Sequence, residues 1–166
     1  MIPEIGHFAL ILALAMALSQ SVLPLIGASN GNASWIGLAK PSARAQFLFL
    51  LVAYGCLTWA FMTDDFSVAL AANHSNSLLP RVYKFTAVWG NHEGSILLWA
   101  LILAGWTFAV TMFSKQLDDR TLARVLGVMG LISCGFILFP LRSSNPFERL
   151  LPAAPDGRDL NPLLQD

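Results

Sequence analysis

The chain has 166 residues, 55% of them hydrophobic and only 12% charged, with ten Lys or Arg balanced by ten Asp or Glu. Soluble domains carry roughly a quarter charged residues, so this composition excludes an ordinary water-soluble domain. With zero formal net charge it also offers no basic field to attract a nucleic acid. What it fits is a chain whose principal surroundings are membrane lipid.

Four long apolar windows follow in chain order. The first, residues 8–27, comes after "MIPEIGH", which carries Glu4 and neither Lys nor Arg and so lacks the basic start of a cleaved signal peptide. The others cover residues 46–62, 95–113 and 123–141. At about 1.5 Å per residue these lengths suit a hydrocarbon core about 30 Å thick, the second being the shortest. The first three contain no Asp, Glu, Lys or Arg, and the fourth holds only Arg124, beside its first residue. Apolarity is continuous rather than alternating, which predicts helices and not barrel strands, because each backbone group in lipid has to be satisfied within its own segment. The expected fold is all-α: an integral membrane protein with four transmembrane helices within residues 1–142, then a tail over 143–166. Cys56 and Cys134 fall inside the second and fourth windows and read as small apolar fillers.

Orientation follows from the basic residues. The first and third connections carry Lys40, Arg44, Lys115, Arg120 and Arg124, while Arg81, Lys84, Arg142, Arg149 and Arg158 are spread over the much longer remaining segments. Their density and the basic-poor N-terminus predict an N-out, C-out topology, with the connection of about residues 63–94 and the tail also outside. That places His7, His74 and His92 on one face. Imidazole is a common ligand for haem iron and zinc, although three interfacial histidines without a shared role is the simpler reading.

The outer connection carries Phe66, Val68, Leu70, Tyr83, Phe85, Val88 and Trp89, too many apolar residues for a plain solvated link. A turn is expected at 73–77, a break at Pro80, and an interfacial segment at "RVYKFTAVW". At "GNHEGS", Asn91 is a favourable N-cap and puts Glu93 in a first helical turn, where the helix dipole favours a carboxylate. From that start His92, Ser95, Trp99 and Trp106 share one helix face. Such a stripe suits either a packed helix interface or one wall of a flat, aromatic-lined ligand site. Gly94, Gly105, Gly127, Gly130 and Gly135 would allow close helix approach. In the tail, Phe147, Leu150, Leu151, Leu160, Leu163 and Leu164 imply an ordered or partner-supported segment rather than a free linker. The sequence shows no phosphate loop, zinc-ligand spacing or nucleophile elbow.

The segments "MIPEIGHFAL", "WGNHEGSILLW", "SNPFERLLP" and "GRDLNPLLQD" closely resemble, in order and spacing, the N-terminal part of the CcmF family, the haem lyase component of cytochrome c maturation. The resemblance implies a bacterial inner-membrane protein, or a mitochondrial one, working on its periplasmic face. It implies haem b in the complete protein. Implied partners are a haem chaperone, apocytochrome c, thiol-handling maturation subunits, and the remaining part of the same protein or a second split chain. The family's Trp-rich motif and ligand histidines lie beyond Asp166, which leaves open whether this chain by itself binds any haem. On the matching motif, Trp89, Gly90, His92, Glu93, Gly94, Ser95 and Trp99 are the candidates for a surface near the haem access face; no catalytic residue or metal ligand is assigned. Competing readings are a transporter or channel subunit, which would want an ionisable group within a span, and a purely structural anchor.

Overall fold

The computed structural model describes residues 1–158; all but the first two residues of the "GRDLNPLLQD" motif, Leu160, Leu163 and Leu164 among them, lie outside the described residues. Among the described residues seven helices follow in order: α1 Ile2–Asn30, α2 Ala33–Gly37, α3 Ala39–Met62, α4 Ala69–His74, α5 Arg81–Ala87, α6 His92–Phe113 and α7 Asp119–Arg142. Among the described residues there is no strand, only an isolated antiparallel bridge between Val68 and Arg149. Four helical segments of the described residues, containing α1, α3, α6 and α7, are long and apolar enough to cross a membrane.

Local sequence sets the helix ends. Proline in the first turn starts α1, and Gly31, at φ 73°, ends it by donating its N–H to the Gly27 carbonyl. The Asn32 side chain accepts the N–H groups of Ser34 and Trp35 to open α2, and the Asp118 carboxylate accepts from Thr121 to open α7. The first connection is shorter than the sequence suggests. Because α3 begins at Ala39, Lys40 and Arg44 belong to its first turns, where Arg44 Nε donates to Thr111 Oγ1 at 3.2 Å.

α1 and α6 occupy opposite corners of the bundle, and each packs along both α3 and α7. Small residues line many of the helix contacts, Ala9, Ala13 and Ala17 of α1, Ala53 and Ala60 of α3, Ala100 and Ala104 of α6, Gly127 and Gly130 of α7, around fully buried Leu10, Leu50, Leu57, Phe61, Leu97, Leu126 and Ile137. Large side chains such as Phe8, Leu51, Trp99 and Leu131 face outward. That so many large groups stay outside has a physical cause, because lipid tails are as apolar as leucine and membrane helices gain little by hiding large apolar groups from them. They gain by close backbone approach and interhelical hydrogen bonds. A Cβ on Gly130 would lie 3.1 Å from the Ser21 backbone nitrogen and 3.2 Å from the Ala17 carbonyl oxygen. Beside it, the fully buried Gln20 amide donates to the Leu126 carbonyl at 2.6 Å. The expectation of close approach at five glycines narrows accordingly. Gly127 and Gly130 hold α7 against α1, Gly94 sits under the Val88 carbonyl, and Gly105 and Gly135 have no tight neighbour.

Candidate functional site

The N-terminus, the 63–91 connection and the tail meet at one end of the bundle. The tail docks through backbone bonds, Ala69 N–H to the Glu148 carbonyl and Leu150 N–H to the Ser67 carbonyl, both at 2.9 Å. Phe147 buries itself against Gly6 and the edge of the His7 ring. Arg149 donates to Glu4 and to Ser67, and stands 3.8 Å from Asp65. Lys84, 7% exposed, pairs with both Asp64 oxygens at 2.6 Å and thereby holds Asp64 at φ 55° just past the end of α3. Asp156 accepts from the Ser77 N–H at 3.0 Å, from the Ser77 hydroxyl at 2.8 Å and from the Gly157 N–H at 2.7 Å. These bonds, with Ser77's hydroxyl the foremost, hold the Asp156 carboxyl below its ordinary value of 3.8.

Within this cap, Trp89, just past the end of α5, meets Phe85 of that helix edge-on, with ring centres 5.2 Å apart, and the chain turns at Gly90 into α6. Asn91 performs both halves of the cap: Oδ1 accepts the Gly94 N–H at 2.7 Å, and Nδ2 donates to the Ala87 carbonyl at 2.8 Å. The sequence locates this helix start correctly, and Glu93 lies half-buried in its first turn. Ser95 is turned back, its hydroxyl donating to the His92 carbonyl at 2.9 Å. His92 is exposed; its Nδ1 is 3.3 Å from Ser144 Oγ, and its ring meets Phe139 edge-on at 5.8 Å.

The His92, Trp99 and Trp106 stripe is not a packed interface inside this chain. The packed face of α6 is Gly94, Leu97, Ala100, Ala104 and Thr107, whereas Trp99 and Trp106 are 62% and 67% exposed. They border a shallow apolar groove shared with Ile132, Gly135, Phe136 and Phe139 of α7. Within this chain the stripe forms one side of an open, aromatic-lined groove. The sequence could not name its α7 half, since Phe136 and Phe139 meet α6 only through the bundle.

The three histidines share an end but not a site. His7 faces Phe147, His74 Nδ1 lies 3.1 Å from the Leu70 carbonyl, and His92 faces Ser144 and Phe139. Among the described residues no three His, Cys, Asp or Glu side chains come together as a metal-holding group. A haem iron needs only one or two axial side chains, and this arrangement offers single imidazoles that stand apart.

An all-helical, four-span membrane protein with its connections folded into an ordered cap at one end is the class these features define. Residues 89–166, beginning where the chain turns into α6, match the family described as Cytochrome C assembly protein. The chain is 67% identical over its whole length to the cytochrome c-type biogenesis protein CcmF of Pseudomonas aeruginosa, and 49% identical to that of Escherichia coli, covering 25% and 26% of those relatives. The solved structure of a cytochrome c haem lyase CcmF superimposes with a TM-score of 0.84 at 31% identity, covering 92% of this chain and 26% of that one. The chain belongs to the CcmF family and spans about a quarter of the length of these relatives.

Proposed function

We propose that the chain forms the leading four-helix part of a haem lyase for c-type cytochrome biogenesis. In this reading it lies in the bacterial inner membrane with the cap on the periplasmic face, where the low density of basic residues supports an outward orientation. Covalent attachment of haem to an apocytochrome needs the haem and two thiols brought together in one geometry, so the protein's contribution is to hold and orient. The chain supplies scaffold and outer surface for that, with haem b, the haem chaperone, apocytochrome c and the thiol-handling subunits engaged by the complete assembly. Trp89, Gly90, His92, Glu93, Gly94, Ser95 and Trp99 shape the haem access face: Asn91 starts the helix, Gly94 lets it sit against Val88, and His92 stands exposed at its head. The observation that carries this reading is the sequence match over the whole chain together with that ordered, outward-facing helix start.

Complementation tests it. A strain lacking the complete protein, given the remaining three-quarters with and without this segment, should mature c-type cytochromes only with it; equal maturation without it would refute the proposal. Absorption spectra of the chain alone and joined to the downstream part separate the roles of His92. A haem band present only in the joined sample and undiminished in His92→Ala is expected of a wall, and a band in the chain alone that disappears in His92→Ala would make His92 a ligand.

A further inference from the structure

The groove on the outer face of α6 and α7 is placed unusually for a surface that meets only lipid. Trp99 and Trp106 each lie about 10 Å from the nearer end of the 22-residue helix α6, taking 1.5 Å per residue. Both are therefore inside the hydrocarbon, below the headgroup level where lipid-facing Trp collects. Helical side chains lean toward the N-terminus, so Trp106 leans toward the middle of the bilayer and away from its nearer surface. An indole N–H at that depth has neither water nor a headgroup as acceptor. Between the two aromatic walls Gly135 leaves a gap, with nothing within 4 Å of where a Cβ would stand.

Two observations name the occupant. The Cytochrome C assembly match begins at Trp89, immediately before α6, and runs to residue 166, so α6 and α7 open a unit that α1 and α3 precede. The relatives extend well beyond it, since this chain covers only 25% of the Pseudomonas aeruginosa protein. We propose that the groove seats a transmembrane helix from the following part of the polypeptide. That helix offers small residues to the Gly135 gap and a hydroxyl or freed carbonyl oxygen to an indole N–H. The inference rests on the chain being the leading quarter of a longer CcmF-family protein.

A nitroxide on Ile102→Cys, between the two tryptophans, reads the groove without removing either of them. With Cys56→Ala and Cys134→Ala, the label is compared in vesicles in two proteins: the chain alone, and a full-length protein in which the chain replaces the matching quarter of the Pseudomonas aeruginosa relative. The expected result is a mobile, oxygen-accessible label in the chain alone, and an immobilised label with oxygen access reduced several-fold in the full-length protein. Equal mobility and access in both would mean that lipid covers the face. Immobilisation of the chain alone that relaxes on dilution with lipid would mean a second copy does. Either overturns the proposal. Unlabelled Trp106→Ala provides the second measurement, with a lower thermal midpoint expected in the full-length protein and an unchanged one counting against a seated helix. Cytochrome c maturation by the same full-length protein reads the haem lyase proposal separately: an immobilised label in a protein that matures nothing would sink that function and leave the docked helix standing.

Discussion

Asn91 shows how much a single polar residue does at the head of α6. Its amide satisfies one of the free N–H groups of the new helix through Gly94 and one terminal carbonyl of α5 through Ala87, so one side chain fixes the angle between two helices. Asn91→Ala removes both bonds at a buried position and should cost about 1 to 2 kcal/mol, read as a lower unfolding midpoint in detergent with the helix content of the folded state retained. An unchanged midpoint would show that the cap is redundant. Asn91→Asp keeps the acceptor and loses the donor, so its stability is expected between the two. This site was legible in the sequence because capping chemistry is local. The ion pair of Lys84 with Asp64 was not, since residues twenty apart meet only when α5 folds back on the end of α3.

At the scale of the helices, small residues mark the closest helix contacts, and substitutions should separate those positions from open ones. Gly130→Ile pushes a branched side chain into the Ser21 and Ala17 backbone and displaces Gln20 from the Leu126 carbonyl. Overpacking of this kind costs about 1 to 3 kcal/mol, and the loss should register in unfolding by a denaturing detergent. Gly135→Ala meets nothing within 4 Å and should leave the isolated chain equally stable or slightly more so, because alanine favours a helix over glycine. The four spans were legible from apolar windows alone. What the windows could not supply was which face turns inward, because a membrane helix is apolar all round and its packed side is marked only by small residues and a few polar ones such as Gln20 and Gln46. The Trp99 and Trp106 stripe was recognised, yet its outward direction emerged only from the packing of α6.

Taken whole, the molecule is a bundle closed at one end by its own connections, and the bonds of Asp156 are one of the fastenings. Because that carboxyl is held below its ordinary value in the docked tail, chiefly by the Ser77 hydroxyl and N–H, its contribution to docking is fully present above the usual carboxylate range. It is lost as pH falls through the depressed folded value. Limited digestion with an acid-active protease should therefore release the tail increasingly as pH drops below about 4, near the unperturbed carboxylate pKa. Asp156→Asn should release it more readily at neutral pH and flatten the dependence. A tail equally resistant at every pH in both proteins would show that Phe147 and the backbone bonds to residues 67–69 hold it unaided.

The contact of Arg149 with Glu4 carries a consequence for how the protein is made. Glu4 stands at the head of α1 and Arg149 follows α7, and they can touch only when the number of membrane crossings between them is even. A span that failed to insert would leave head and tail on opposite sides of the bilayer, where the cap has no means of forming. Its closure is thus a test of parity that the chain applies to itself: a molecule lacking any one span cannot finish its cap.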